Sequence, residues 1–196
     1  MSSASRSRTE VAQRLRAVLL DPEAAAGLDV HGRIDAAVLV PLYVSGGELH
    51  AVFTRRREDL RRHPGEISFP GGRQDDDETD LRLTALREAE EEIGLATSDV
   101  ELIGALPPVG TFVTNYKIHP FVGLIDAGKT WQLQPTEVEV VLEFSLADLV
   151  RGHEMKRLLG RGVPIKTPTY TVRDQLIWGA TARIVQDLLK RVEPVL

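Results

Sequence analysis

The sequence predicts an α/β (α+β) domain in which a mixed β-sheet is sandwiched between α-helices. Short apolar runs rich in Val and Leu recur along the chain, and each is bounded by turn-forming Gly, Pro or Asp residues. Amphipathic segments with helical spacing alternate with these runs. No repeat, low-complexity tract or long linker interrupts the 196 residues. We therefore expect a single domain over residues 1–196, with a core at about 34–192 and a disordered segment at 1–8.

The first half of the chain combines one helix, a hairpin and a second, acidic helix. Apolar residues at helical spacing predict the first helix, and Asp21-Pro22 is expected to end it. The expected elements are a helix at 9–20, strands at 36–44 and 49–54 joined by a Ser45-Gly46-Gly47 turn, a basic loop at 55–65, an extended segment at 67–69 broken by Pro70-Gly71-Gly72, and a helix at 81–93 ended by Gly94.

The second half predicts further strands and a C-terminal amphipathic helix. The expected elements are strands at 100–106, 119–125 and 138–144, a short helix at 146–150, extended segments at 155–159 and 170–172, and a helix at 178–192. Trp178, at the start of that last helix, is expected to lie in the core.

Composition excludes several classes of function. A net charge of -5 argues against sequence-independent nucleic-acid binding, which needs an excess of Lys and Arg. The absence of cysteine removes disulfides, thiolate metal sites and cysteine nucleophiles. No apolar run reaches the roughly 18 residues of a membrane span, and no secretory pattern appears. We expect a cytoplasmic protein that acts on a small molecule, without nucleic-acid or membrane partners; a homodimer is possible.

An acidic run at the end of the helix at 81–93 is the main functional clue. At about 100° per residue, Glu88 and Glu92 differ by roughly 40°, and Glu91 lies about 60° to the other side of Glu88. These three carboxylates therefore share one face, whereas Glu90 points about 200° away from Glu88. The apolar residues of this stretch, which can face the core, are Leu86, Ala89 and Ile93.

This acidic face opposes local helix stability. Like charges four residues apart cost roughly 0.2–0.5 kcal/mol per pair, and negative charge in the last turn opposes the helix dipole. Arg87 can offset part of this cost by pairing with Glu91. A divalent cation would offset more, because carboxylate oxygens are the ligands that magnesium prefers. The alternative is a solvated acidic face on a surface helix.

The context of this helix resembles the Nudix box. In that pattern a Gly is followed after five residues by Glu, and after seven more by Arg-Glu-aliphatic-x-Glu-Glu-x-Gly-aliphatic. Gly72, Glu78 and the stretch from Arg87-Glu88 to Gly94-Leu95 correspond, with Ala89 at the aliphatic position. Eight residues rather than seven separate Glu78 from Arg87. Either the loop carries one extra residue or Glu78 is not the box glutamate.

A second motif precedes the box. Residues 60–72 read Leu-Arg-Arg-His-Pro-Gly-Glu-Ile-Ser-Phe-Pro-Gly-Gly, which resembles the signature of the coenzyme A diphosphohydrolase branch of the Nudix family. Leu106-Pro107-Pro108-Val109, Pro120-Phe121-Val122-Gly123 and the stretch Ile177–Ala182 also resemble this branch. The resemblance runs from about residue 36 to 189. It implies the Nudix fold and metal-dependent hydrolysis of the coenzyme A diphosphate bond to 3',5'-ADP and 4'-phosphopantetheine.

The resemblance also implies a cofactor, Mg²⁺ or Mn²⁺, and its ligands. Glu88 and Glu92 are the first choice, because their spacing lets both reach one ion. Glu91 is the third, either as a ligand or as the base that activates water. The backbone carbonyl of Gly71 completes the expected set, since a glycine lets the backbone approach metal and phosphate closely. Alternatively, Gly71 and Gly72 only shape a turn.

Two further residues are expected to assist catalysis. Arg87 is expected to pair with loop or helix carboxylates and hold them in place, and the alternative is a plain surface ion pair. Several Nudix enzymes take a catalytic glutamate from a loop just before a strand, and Glu137 has that position. Glu137 is therefore the alternative base to Glu91, unless it is simply an exposed glutamate at a strand end.

The expected substrate contacts come from the basic loop at 55–65 and from Gly71-Gly72, which we call the glycine corner. Guanidinium groups suit phosphate oxygens. The expected substrate-binding residues are Arg55, Arg57, Arg61, His63 and Gly72. Five arginines lie between residues 55 and 62, and one or more of them is expected to bind the 3'-phosphate of coenzyme A. A solvated basic loop and a structural histidine are the alternatives.

Two other functions remain open at this stage. A Nudix hydrolase could act on another nucleoside diphosphate derivative, such as ADP-ribose or NADH. A Nudix domain can also be a non-catalytic nucleotide-binding module, although Glu88, Glu91 and Glu92 are all retained here. A substrate panel separates the first alternative, and loss of turnover in Glu92→Gln separates the second.

Overall fold

The structure, a computed structural model, describes residues 8–60, 63–111, 114–160 and 163–195. Its helices are α1 (Arg8–Arg16), α2 (Pro22–Ala26), α3 (Leu81–Ile93), α4 (Leu146–Arg151) and α5 (Gly179–Val192). Short 3₁₀ turns occupy Thr97–Asp99 and Glu193–Val195. None of the helices in the described ranges is long and apolar enough to cross a membrane.

The strands form two sheets. They are β1 (Ile34–Ser45), β2 (Glu48–Arg56), β3 (Ile67–Ser68), β4 (Gly71–Arg73), β5 (Glu101–Ala105), β6 (Val109–Gly110), β7 (Tyr116–Leu124), β8 (Val138–Ser145), β9 (His153–Gly160), β10 (Val163–Val172) and β11 (Gln175–Ile177). The larger sheet has the order β3-β2-β1-β7-β5, with β4, β6 and β8 paired to β1, β7 and β2. The smaller sheet has the order β11-β10-β9.

The larger sheet is mixed, as the sequence predicts. Strands β1 and β7 run parallel, while β1 pairs antiparallel with both β2 and β4. Alternate residues of β1 face opposite sides of the sheet. Ala37 and Leu39 belong to the apolar cluster with α2 and α3, whereas Val40 and Leu42 belong to the cluster with α1, α4 and α5. Burial on both faces explains why β1 reads as a nearly continuous apolar run.

The pairing of β4 with β1 places the glycine corner beneath α3. Gly72 lies opposite Ala37, and Gly71 lies opposite Val38. The expected break after the extended segment is confirmed, because β3 ends at Ser68 and pairs with β2. The two glycines, however, lie in a second short strand and not in a turn. A Cβ on Gly71 would lie 2.3 Å from the carbonyl oxygen of Ala37, so only glycine permits this close approach of the two strands.

Several other sequence-based expectations need correction. The first helix ends at Arg16 and not at Asp21-Pro22. Asp21 instead begins α2, because its side chain accepts hydrogen bonds from the backbone N–H groups of Glu23 and Ala24. Arg8 is not disordered, because it begins α1 and pairs with Asp126; residues 1–7 lie outside the described ranges.

Two expectations about the core are also corrected. Trp178 is 42% exposed and is not part of the core. The core also reaches further towards the N-terminus, since the buried residues include Val11, Ala12 and Leu15.

Candidate metal and diphosphate site

Helix α3 positions the acidic face at the glycine corner. Its first turn is capped by Asp80, whose Oδ1 accepts a hydrogen bond of 2.9 Å from the backbone N–H of Arg82. Gly94 ends the helix in the left-handed conformation, with φ 68°. The fully buried side chains of Ala85, Ala89 and Ile93 fix the rotation of the helix about its axis. The residues between them, including the glutamates, therefore take defined directions.

Glu92 lies in the interior at the end of this helix. It is only 4% exposed, and its Oε2 accepts a hydrogen bond of 3.3 Å from the backbone N–H of Gly71. Burial, together with the negative charges of Glu137 and Glu88, raises the pKa of Glu92 to about 8. A carboxyl group in this position favours the protonated form unless a cation lies beside it.

Glu88 lies one turn earlier and packs directly on Gly72. A Cβ at Gly72 would lie 2.5 Å from the carboxylate carbon of Glu88, so the missing side chain provides the space that this carboxylate occupies. Burial raises the pKa of Glu88, and pairing with Arg87 opposes that increase. Glu91 completes the expected trio but is more accessible, since its side chain is 58% exposed.

Arg87 contacts four carboxylates around this site. Its Nε donates to Glu78 Oε1 at 2.9 Å, and its Nη1 lies 3.0 Å from Glu88 and 3.3 Å from Glu91. Its Nη2 lies 3.5 Å from Asp75 in the preceding loop. Arg87 thus has the pairing with loop and helix carboxylates that the sequence suggests, including the contact with Glu91.

Glu78 reaches Arg87 despite the longer spacer. Besides its contact with Arg87, it accepts hydrogen bonds from the hydroxyl of Thr84 at 2.7 Å and from the backbone N–H of Asp75 at 3.1 Å. The hydrogen bond from Arg87 is the main reason that the pKa of Glu78 falls to about 2. The loop at 73–80 therefore accommodates the additional residue, and Glu78 serves as a partner for Arg87.

Glu137 approaches the same corner from the segment before β8. Its carboxylate lies 2.5 Å from Arg56 Nη1 and raises the pKa of both Glu92 and Glu88 by repulsion. Glu137 thus acts electrostatically on Glu92, which lies 45 positions earlier in the chain. Glu137, Glu88 and Glu92 form a group of negative charges that Arg56 and Arg87 only partly balance.

Arg56 faces the acidic residues of this site, and the sequence does not distinguish it from its neighbours Arg55 and Arg57. Its positive charge opposes the raised pKa of Glu92, and its buried Nε has no hydrogen-bond partner among the described residues. The register of β2 against β8 shifts between Arg55 and Arg56. A run of three arginines gives no sign of such a bulge, so the sequence could not show which one faces the acidic group.

The other expected substrate contacts have protein partners in this structure. Arg55 donates to Gln175 at 3.0 Å and to Glu139 at 3.2 Å. The predicted substrate-binding residues Arg57 and His63 are also paired. Arg57 donates to Asp59 at 2.8 and 2.7 Å and to the carbonyl of Pro135 at 3.1 Å, and His63 Nδ1 lies 2.6 Å from Glu66. Arg61 lies outside the described residues.

A divalent cation fits the donor set at this corner. Within the ranges that the structure describes, no three His, Asp or Glu side chains are already close enough to form a complete metal site. However, Glu92 is buried, Glu88 and Glu137 add negative charge beside it, and Gly72 leaves room for the Glu88 carboxylate. These oxygen donors are of the type that Mg²⁺ or Mn²⁺ binds.

Comparison with known proteins places this geometry in a family. Residues 33–161, well over half of the chain, match the model of the NUDIX domain. Curated relatives described as "Uncharacterized Nudix hydrolase NudL" include a protein of Escherichia fergusonii, 38% identical over 80% of this chain and 82% of its own length. Another, from an Enterobacter species, is 35% identical over 84% of this chain and 85% of its own length.

Solved structures show the same fold at low sequence identity. A MutT/nudix family protein from Enterococcus faecalis has a TM-score of 0.54 and 13% identity, covering 96% of this chain and 75% of its own. The Nudix hydrolase RenU from M. smegmatis has a TM-score of 0.52 and 16% identity, covering 90% and 96%. A C. elegans Ap4A hydrolase binary complex has a TM-score of 0.51 and 18% identity, covering 61% and 85%. The observed fold and the matched domain agree with the expectation from the sequence, and this chain belongs to the Nudix hydrolase family.

Proposed function

We propose that this protein hydrolyses the diphosphate bond of coenzyme A or a derivative, with Mg²⁺ or Mn²⁺ as cofactor. The observation that carries the hydrolase assignment is the buried carboxyl group of Glu92, with the negative charges of Glu88 and Glu137 acting on it and Glu88 packed on Gly72. The choice of coenzyme A rests on the resemblance of residues 60–72 to the signature of that branch. The similar curated proteins carry no substrate in their names.

The reaction requires water to attack one phosphorus of the diphosphate while the bridging P–O bond breaks. The departing phosphate takes the electron pair of that bond, and a base takes the proton of the water. Glu88, Glu92 and Glu91, with the Gly71 carbonyl, would hold the divalent ion. When bound, that ion would neutralise diphosphate charge and make water more acidic.

The remaining steps fall to side chains of this chain. A carboxylate oxygen of Glu137 or Glu91 accepts the proton from water. Glu137 is the stronger candidate by position, because it is the one that approaches Glu92 from a separate segment. Arg56 lies against Glu137, so its guanidinium would bind a diphosphate oxygen beside that carboxylate. Arg87 keeps Glu88 and Glu91 oriented through its direct contacts.

Product analysis tests the substrate directly. We expect incubation with coenzyme A and Mg²⁺ or Mn²⁺ to yield 3',5'-ADP and 4'-phosphopantetheine in equal amounts. ADP-ribose and NADH, assayed in parallel, should be cleaved at least tenfold less efficiently. Rapid cleavage of either of these with coenzyme A left intact would keep the family reaction and remove coenzyme A as the substrate. Nucleotide binding without any product would favour a non-catalytic module.

Comparison with dephospho-coenzyme A tests the basic segment. If Arg55, Arg57 or Arg61 binds the 3'-phosphate, loss of that phosphate should lower kcat/KM about tenfold, equivalent to about 1.4 kcal/mol. In the variant that removes the relevant arginine, the two substrates should become equivalent. Equal efficiency with both substrates in the wild-type protein would contradict a role for the 3'-phosphate.

A further inference from the structure

Residues 126–137, which we call the strap, connect β7 to β8 and cross the C-terminal end of α3. The backbone N–H of Gln132 donates to the carbonyl of Ile93 at 3.0 Å, and that of Gln134 donates to the carbonyl of Glu92 at 2.9 Å. Carbonyls in the last turn of a helix have no partner within the helix. The strap supplies these partners and is therefore hydrogen-bonded directly to the backbone of Glu92.

Gly94 provides the space for this crossing. A Cβ at this position would lie 2.7 Å from the Cβ of Gln132, well inside van der Waals contact. Gly94 also adopts φ 68°, which favours glycine. The glycine that ends the acidic helix therefore does two things: it turns the chain, and it admits the strap.

The C-terminal end of the strap carries Glu137. The backbone N–H of Glu137 donates to the carbonyl of Gln134 at 3.1 Å, so the residue that binds Glu92 also begins the turn that orients Glu137. From the side of β2, the backbone N–H of Arg57 donates to the carbonyl of Glu137 at 3.1 Å, and its guanidinium donates to the carbonyl of Pro135. One short segment thus fixes Glu137 relative to Glu92.

The middle of the strap is joined to the sheet by a partly buried polar contact. Trp131 Nε1 donates to Glu143 Oε1 at 2.7 Å, and the hydroxyl of Tyr43 donates to the other carboxylate oxygen of Glu143. Trp131 and Leu133 also pack on the apolar cluster beneath α3. Glu143 lies on β8 and Tyr43 on β1, so the contact joins the strap to two strands of the larger sheet.

We propose that the strap is a positioning device for the hydrolytic reaction, in which Trp131, Glu143 and Tyr43 hold Glu137 at a fixed place relative to Glu92. These three residues are positioning residues, since they act through the strap and not on the substrate. The inference rests on the proposed function, because it takes Glu137 as the base that accepts the proton from water.

Glu143 offers a matched pair of variants. In Glu143→Gln the side-chain carbonyl can still accept from Trp131, and the amide can donate to the oxygen of Tyr43, so both contacts remain. Glu143→Leu has a similar size and removes both. We expect Glu143→Leu to lower kcat about tenfold with KM changed less than twofold, since a displaced base affects the chemical step more than binding. Glu143→Gln should stay within twofold of the wild type.

Amide hydrogen exchange provides a readout that needs neither metal nor substrate. In Glu143→Leu, exchange of the Gln132 and Gln134 amides should accelerate at least tenfold, because the strap opens locally. Exchange at Val185 in α5 serves as the control for global stability and should be unchanged. Trp131→Phe, which loses the same donor, should reproduce both effects and covers the case in which Glu143→Leu does not fold.

Three results would overturn the inference. Wild-type exchange and wild-type kcat in both Glu143→Leu and Trp131→Phe would show that the contact positions nothing. If Glu137→Gln loses turnover while Glu143→Leu keeps it, only the strap proposal fails and the proposed hydrolysis stands. If Glu137→Gln keeps full turnover, Glu137 is not the base. The strap then has no base to position, and the inference fails together with the assignment of Glu137 as the base. Absence of coenzyme A cleavage in the wild type, with another diphosphate cleaved, would leave the strap test valid on that substrate.

Discussion

Glu78, which lies just before α3, and Glu92, which lies at its C-terminal end, experience opposite environments. Near the start of the helix, Glu78 is surrounded by the donors of Arg87, Thr84 and Asp75, and its pKa falls to about 2. At the other end, Glu92 is buried beside Glu137 and Glu88, and its pKa rises to about 8. The first carboxylate is satisfied by the protein. The second favours its protonated form unless a cation lies beside it, and this difference makes Glu92, rather than Glu78, the candidate for cation binding.

The largest expected effect is loss of turnover on neutralising Glu92. Glu92→Gln keeps the size of the side chain and removes the charge that would hold the divalent ion. We expect kcat/KM to fall by about a thousandfold or more, equivalent to about 4 kcal/mol of transition-state stabilisation. Steady-state assays with Mg²⁺ and Mn²⁺ would measure it. The matched control is Glu90→Gln on the same helix, because Glu90 is exposed and its side chain accepts a hydrogen bond from the hydroxyl of Thr97 at 3.2 Å, away from the other glutamates; it should keep wild-type turnover.

The bounds of α3 could be predicted because the relevant signals are local. The polar residues before Leu81 and the glycine after Ile93 mark both ends of the helix, and the structure confirms those bounds. The shared face of Glu88, Glu91 and Glu92 follows from helical geometry alone. Strand β10 shows where local signals fail: Pro164 and Pro168 interrupt its pattern, so only its last residues were expected to be extended.

The surroundings of the acidic group could not be predicted from the sequence, because they depend on contacts between distant segments. Burial of Glu92 results from the pairing of β4 with β1 and from the strap, and neither has a local signature. The same holds for the approach of Glu137 to Glu92. The sequence predicts the residue types of the candidate site, while the tertiary structure determines which of them have shifted pKa values.

The next prediction concerns stability, and it has opposite signs at the two ends of α3. A raised carboxyl pKa means that the folded state holds the proton more tightly than the unfolded state. Without metal, the contribution of Glu92 therefore becomes unfavourable as pH rises from about 4.5 to about 8. Glu92→Gln should stabilise the metal-free protein above pH 8 by about 2 kcal/mol, seen as a higher Tm in EDTA. The gain should vanish near pH 4 and shrink when saturating Mg²⁺ stabilises the wild type.

Glu78→Gln should behave in the opposite way. A lowered pKa means that Glu78 contributes stability above the unfolded-state value of about 4.5, and that this contribution is lost as pH falls towards about 2. The variant should therefore lower the free energy of unfolding at pH 7 by about 1–2 kcal/mol and converge with the wild type near pH 2. Urea titrations at several pH values would measure it. If Glu92→Gln and Glu78→Gln shifted the free energy of unfolding in the same direction at pH 8, the proposed contrast between the environments of Glu92 and Glu78 would be wrong.

The smallest expected effect sharpens the contrast at the glycine corner, where Gly72 faces Glu88. The backbone of Gly72 is outside the left-handed region, so an added methyl group tests only the contact, and its Cβ would lie 2.5 Å from the Glu88 carboxylate. Because that carboxylate is the end of a side chain that can move, Gly72→Ala should fold. The displaced carboxylate should weaken Mn²⁺ binding and lower turnover about tenfold each, equivalent to about 1.4 kcal/mol. Isothermal titration with Mn²⁺ measures the effect on metal binding separately from the effect on turnover.

Gly27→Ala is the control, since Gly27 has φ -76° and the nearest contact of an added Cβ would be an ordinary 3.6 Å. Unchanged Mn²⁺ binding in Gly72→Ala would show that Glu88 does not need the space beside this glycine to act as a ligand.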